Sequence, residues 1–169
     1  PGGDHSTAVV RTYNALGMKE AGIKLIGPGD ITQDTKLQPM GQNADGLITM
    51  HHYNADLDNP ENKKFLEAWK KEYGANSTPD FMAVGGYDGI RLIYEALKKT
   101  GGKTDGDALI EAMKGMKWES PRGPISIDPE TRDIVQNIYI RKVEKVDGEL
   151  YSVEFATFEA VKDSGKTKK

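Results

Sequence analysis

The sequence predicts an α/β fold, and three observations carry that expectation. Amphipathic segments of helical period alternate with short apolar runs bounded by turn residues, Gly-rich punctuation separates them, and the chain closes on two long strand-like runs joined by Asp147-Gly148. Its 169 residues with 37% hydrophobic content suffice for a buried core. With 26 acidic against 23 basic residues there is no positive excess to neutralise a phosphate backbone, so nucleic acid is not an expected partner. No apolar run approaches the roughly 20 residues that span a bilayer. The absence of Cys excludes disulfides and thiolate metal sites and leaves the redox compartment open. The opening Pro1-Gly2-Gly3 has neither an initiator Met nor an export-signal pattern, so the chain is expected to continue a longer polypeptide.

In chain order, Asp4 or Ser6 caps a helix expected to run to about Glu20, with Val9, Val10, Tyr13 and Leu16 on its apolar face and Gly22 as its end. Ile23–Ile26, between Gly22 and Gly27-Pro28-Gly29, reads as a short buried strand. A short helix is expected within 34–42, and Leu47–Tyr53 reads as a strand after the Asp45-Gly46 turn. Asn59-Pro60-Glu61 starts a helix carrying Phe65, Trp69 and Tyr73, because Pro belongs in the first turn and the Asn side chain accepts an orphan amide. Thr78-Pro79-Asp80 starts another, with Met82, Gly86, Ile90, Ile93 and Leu97 as its expected inner stripe. Thr104-x-x-Asp107 resembles a capping box before Ala108, Leu109, Ala112 and Met113. Ser120-Pro121-Arg122-Gly123-Pro124 is a turn-rich crossing before a strand at Ile125–Ile127. Ile134–Val146 and Glu149–Phe158 form a closing hairpin, since Asp-Gly tolerates positive φ at both turn positions.

Catalytic and cofactor motifs fail. No nucleophile elbow, zinc-binding H-E-x-x-H or phosphate-binding P-loop occurs, and Gly27-Pro28-Gly29 lacks the third glycine of a dinucleotide fingerprint. No cofactor and no metal are expected. His51 and His52 are adjacent, so on a strand they face opposite ways and cannot clasp one ion; one of them could still meet a ligand at a cleft. Asp56-x-Asp58 with Glu67 imitates a calcium loop, but Glu61 stands where the sharp turn needs Gly, so helix capping is the better reading. Asp128, Glu130 and Asp133 read as turn residues, and Lys162, Lys166, Lys168 and Lys169 as a solvated, frayed tail. Gly85, Gly86 and Gly89 stand out, each costing about 1 kcal/mol against Ala inside a helix. Close packing explains them, or a break in the helix, or a ligand. Phe81, Met82 and Tyr87 surround them near a helix N-terminus whose amides would favour a carboxylate.

Several stretches together resemble the C-terminal half of leucine/isoleucine/valine-binding proteins of ABC transporters, the type I periplasmic binding proteins. They are Gly22-Ile-Lys-Leu-Ile-Gly-Pro28, Gly46-Leu-Ile-Thr-Met-His-His-Tyr53, Pro60-Glu-Asn-Lys-Lys-Phe65, Tyr73-Gly74, Gly86-Tyr87-Asp88-Gly89 with Glu95-Ala96-Leu97, and Arg122-Gly123-Pro124-Ile125-x-Ile127-Asp128. The resemblance implies part of a two-lobed fold of parallel sheets flanked by helices, with a terminal hairpin. It places residues 1–52 in the C-terminal lobe, 53–122 in the N-terminal lobe and 123–169 in a return to the C-terminal lobe. The upstream half of the family pattern is absent, so the rest of the same protein or a second chain would complete the fold. By family position Asp30 or Gly29 holds a polar group of the ligand, Phe81, Met82 and Tyr87 line the opposite wall, and His52 and Tyr53 lie at the crossing. The implied role is non-enzymatic: capture of a branched-chain amino acid or a small apolar or aromatic carboxylic acid in the periplasm, for delivery to an ABC permease. An extracytoplasmic sensing domain is the alternative.

Overall fold

The computed structural model describes residues 4–32, 37 and 39–166. The chain divides into two compact units: one holds the residues up to His51 together with Ile138–Phe158, the other His52–Asn137 with the residues from Glu159 onward. It therefore passes from unit to unit three times, after His51, Asn137 and Phe158. Residues 123–137 and 159 onward cluster with the second unit, whereas the sequence reading grouped all of 123–169 with the first.

In the first unit, α1 (Asp4–Ala15) stops sooner than expected. Gly17, at φ +66°, turns the chain while the Gly17 and Met18 amides bond back to the Asn14 and Tyr13 carbonyls, which is a glycine-terminated helix end. Ser6 lies inside the helix, fully buried one turn before Val10, while Val9 and Leu16 are exposed. The buried face is therefore rotated from the one the apolar residues alone suggested. The Arg11 guanidinium and the Asn14 amide donate to the Pro39 and Asn43 carbonyls, at 3.0 and 2.8 Å, fixing the helix on the segment before the second strand. Of the helix expected within 34–42, residues 34–36 and 38 lie outside the described residues, Leu37, Pro39 and Met40 are helical, and Gly41–Ala44 form a 3-10 turn.

Strand β1 (Ile26–Pro28) starts later than expected and is parallel to β2 (Ile48–His51), with Ile26 opposite Ile48 and Pro28 opposite Met50. Ile23 and Ile26 are exposed, so this run is not the buried strand its composition suggested. On its other side β2 pairs antiparallel with β5 (Ile134–Val146), His51 opposite Tyr139. Strand pairing is mixed, not parallel throughout. β5 continues into β6 (Glu149–Val161) through Asp147 and Gly148, whose φ values of +50° and +93° are those of the expected tight turn. Val10, Ile31, Leu37, Met40, Ala44, Leu47 and Val143 form the core.

The second unit contains α2 (Pro60–Tyr73), α3 (Phe81–Lys99), α4 (Gly106–Met113), β3 (Lys117–Ser120) and β4 (Gly123–Ile127). The Asn59 side chain accepts from the Asn62 amide at 2.8 Å, and Asp80 caps α3 through the amides of Met82 and Ala83. Asp105, not Thr104, caps α4. Pro121-Arg122 is a tight β3–β4 hairpin turn, and β4 pairs with the start of β5, Ile127 opposite Ile134. Ala96, Met116 and Ile127 pack with Leu92, Leu109, Met113 and Trp118.

On α3 the buried face is Val84, Asp88 and Ala96; the expected stripe faces outward, Met82 at 68% exposure and Ile90 at 51%. Lys162 and Lys166 are not frayed. The Lys162 ammonium lies 2.7 Å from the buried carboxylate of Asp128, and Lys166 the same distance from Asp133, which ties the chain end to the 128–133 turn; Lys168 and Lys169 lie outside the described residues.

Candidate ligand-binding site

The two sets of candidate residues stand in different units. In the first, Gly29 and Asp30 open a 3-10 turn (Gly29–Ile31) immediately after β1. The Thr32 amide bonds the Gly29 carbonyl at 3.0 Å, and the buried Thr32 hydroxyl meets that of Thr49 on β2 at 2.8 Å, so the turn is pinned to the sheet. Gly29 is required here for a steric reason: a Cβ would stand 2.5 Å from the His51 Cβ and 2.7 Å from its Cγ. The expected ligand contact at Gly29 thus coincides with a position where His51 already crowds the backbone. Asp30 follows at the head of the turn, half-buried, where a carboxylate could accept a charge-assisted hydrogen bond.

In the second unit, Phe81 begins α3 and stands edge-on to the His52 imidazole, centroids 6.0 Å apart at 88°. His51 lies against Gly29 in the first unit and His52 against Phe81 in the second. Tyr53 is buried and donates its hydroxyl to the Asn62 Oδ1 at 3.0 Å; the Asn62 amide group in turn donates to the Ala55 and Leu57 carbonyls. Burial first, then the Asp56 and Asp80 carboxylates, pushes the Tyr53 phenol above its ordinary value and keeps it a neutral donor. Its role here is to brace α2. Tyr87 leans on Phe65, centroids 4.9 Å apart, at the head of a series continuing through Trp69 to Tyr73.

The structure joins Phe81 to His52 and does not join Phe81 to Tyr87. Six residues apart on one helix, those two side chains diverge by about 120°. Met82 is exposed beside Phe81. The expectation that free amides at this helix start receive a carboxylate does not hold, because the Asp80 carboxylate already takes the Met82 and Ala83 amides at 3.0 and 2.9 Å and would repel a second anion.

Sequence reasoning missed a buried ionic network behind this wall. The Asp88 carboxylate on α3 accepts from Arg122 Nε at 2.8 Å, the Ser120 hydroxyl at 2.7 Å and the Trp118 indole at 3.2 Å. The Arg122 Nη1 donates to the Gln136 Oε1 at 3.0 Å, and both charged side chains are 6% exposed. Burial pulls the Arg122 pKa down and the Asp88 charge offsets this. The usable signal was the spacing of Asp88, one turn after Val84 on what proves the inner face. Among the described residues no group of three or more His, Asp or Glu side chains is placed to hold a metal ion.

The sequence model of a family described as periplasmic binding protein matches residues 1–149. Leu/Ile/Val-binding protein homolog 6 of Brucella melitensis is 46% identical over 166 residues, which is 98% of this chain and 43% of that protein. Two crystal structures of solute-binding proteins of ABC transporters from Rhodopseudomonas palustris are similar. The one from strain BisB5, in complex with 3,4-dihydroxybenzoic acid, is 63% identical with a TM-score of 0.83 over 98% of this chain and 45% of that one. The one from strain HaA2, in complex with p-hydroxybenzoic acid, is 44% identical with a TM-score of 0.89 over 100% and 46%. The chain thus spans less than half the length of the relatives it matches.

Proposed function

The chain belongs to the periplasmic binding protein family, and from that premise we propose that it is part of the solute-binding component of an ABC importer whose cargo is a small aromatic carboxylic acid, a hydroxybenzoate foremost. The observation that carries the choice of ligand is the 63% identity to a solute-binding protein holding 3,4-dihydroxybenzoic acid. Two features of this chain's own residues agree with it. The edge-on pair of Phe81 and His52 supplies an aromatic surface suited to a ring. Asp30 accepts a charge-assisted bond from a ring hydroxyl, where in an amino-acid binder it would take an ammonium.

The unit that carries Asp30 corresponds to the C-terminal lobe and the unit that carries Phe81 to the N-terminal lobe. In the complete protein, a ligand touching both lobes binds the shut state better than the open one and shifts the population toward it. The shut form then docks on an ABC permease, and no bond of the ligand is made or broken. Family membership implies an extracytoplasmic location, for which we propose the periplasm; among the described residues no helix is long and apolar enough to cross a membrane.

Thermal shift of the full-length, ligand-stripped protein across a panel of benzoates, phenylacetates and aliphatic amino acids tests the reading, since a ligand at 100 times its Kd stabilises by about 2.7 kcal/mol. Hydroxybenzoates should raise Tm most. A shift with leucine and none with any benzoate contradicts the choice of ligand.

A further inference from the structure

What α3 presents to a ligand depends on how the helix is rotated about its axis. Phe81, Gly85 and Asp88 follow i, i+4, i+7 spacing and share one face. At the start of the helix few apolar contacts set that rotation: Val84 is its buried hydrophobic there and Tyr87 leans on Phe65, while Met82 and Ile90 are exposed and the apolar packing of Leu92 and Ala96 lies toward the far end. Asp88 is the third buried position, and its carboxylate is held by three directional donors from the β3–β4 hairpin. The Arg122 guanidinium spans the gap, one arm on Asp88 and another on Gln136 of β5, with Nη2 3.9 Å from where a Cβ on Gly85 would stand. The same turn accepts from the Asn59 side chain through the Pro121 carbonyl at 3.0 Å, so the cap of α2 is referred to it as well.

A buried ion pair is a poor device for stability alone, because well-packed apolar residues of similar volume often hold a fold equally well. Its advantage over apolar packing is direction. We infer that Arg122 is a positioning residue for the aromatic wall: by fixing Asp88 it sets the rotation of α3 that stands Phe81 edge-on to His52, and so tunes affinity for ring-bearing ligands. The inference rests on the aromatic-acid reading of the site.

The test uses the full-length protein with 3,4-dihydroxybenzoate as probe. The double variant Asp88→Leu/Arg122→Met removes the ionic network and leaves an apolar filling; Arg122→Lys keeps the charge beside Asp88 and loses the reach to Gln136. The folded double variant, in which the buried Ser120 hydroxyl and the Trp118 indole also lose their acceptor, should have a lower Tm and bind about tenfold more weakly, with Arg122→Lys intermediate in Kd. Phe81→Ala should weaken wild type by a comparable factor and add little in the double variant, because both changes remove the same contact. A folded double variant with unchanged Kd overturns the inference, as does full additivity with Phe81→Ala. If the double variant does not fold, Arg122→Lys decides alone, an unchanged Kd overturning the inference. A wild-type protein that binds leucine and no aromatic acid refutes the reading of the ligand; the same variants titrated with leucine then decide the positioning role, by the same criteria.

Discussion

Replacing Gly29 by Ala is the sharpest local perturbation the structure offers. The added methyl would stand 2.5 Å from the Cβ of His51, 2.7 Å from Cγ and 3.0 Å from Cδ2. Carbon atoms rest about 3.5–4.0 Å apart, so relief requires the turn and β2 to separate by about 1 Å. That separation is resisted at once by the parallel register of Pro28 with Met50 and by the 2.8 Å hydroxyl contact of Thr32 with Thr49. Overpacking of this kind costs about 1–3 kcal/mol, and each kcal/mol lowers Tm by a few degrees in proteins of this size or larger. Asp30, the next residue, must move with the turn, so affinity for a hydroxybenzoate should fall along with Tm. Thermal unfolding by circular dichroism and a binding titration of the full-length Gly29→Ala protein measure both. Adding His51→Ala should restore only part of the loss, because it removes the Cγ and Cδ2 contacts and leaves the Cβ at 2.5 Å. A Gly29→Ala protein with wild-type Tm and Kd would refute the steric argument.

Asn62→Ala should destabilise by about 2 kcal/mol in denaturant titrations, since it removes the acceptor of the Tyr53 hydroxyl and the donor to the Ala55 carbonyl, while the Leu57 carbonyl keeps the Asn59 amide; a loss below about 1 kcal/mol would mean that water replaces the amide. Asn59→Ala should cost about 1–2 kcal/mol by the same assay, removing the cap of α2 and the tie to Pro121. The hydrogen bond from Lys162, followed by the amides of Thr131 and Glu130, holds the Asp128 carboxyl at a pKa of about 2 against an ordinary 3.8. Because the folded value is the lower one, this contribution is fully present above about pH 4 and is lost as pH falls toward 2. A carboxyl resonance titrating near 2 in wild type and higher in Lys162→Ala is expected; an unchanged value in the variant would remove Lys162 as the cause.

Features governed by local chemistry were legible in the sequence. The Asp147-Gly148 turn and the Asn59 cap followed by Pro60 each depend on residues within a few positions of one another and stand where the residue types put them, whereas α3 is capped by Asp80 and not, by analogy with Asn59-Pro60, by the Thr78 ahead of Pro79. Which side of a helix is buried was not legible on α3 or α1. Periodicity identifies residues that share a face, but the most apolar face of α3 carries Met82, Ile90 and Ile93 and is exposed, while the buried one carries Asp88. Asp88 and Arg122 were invisible for a related reason: 34 positions apart, each reads as a surface charge until the other is known to meet it. β3 was missed because Lys117-Trp118-Glu119-Ser120 offers one large apolar residue in four. For the site, sequence pattern and family position nominated Phe81 and His52 without showing that their rings meet, and nominated Gly29 without showing that His51 requires it.

Isothermal titration calorimetry of the intact, ligand-stripped protein, run with 3,4-dihydroxybenzoate and in parallel with leucine, bears most directly on the assignment of cargo. Saturable one-to-one binding of the benzoate, weakened by Phe81→Ala and by Asp30→Asn and tighter than any binding of leucine, is expected. Benzoate heats indistinguishable from dilution, beside a saturating leucine isotherm, would contradict it.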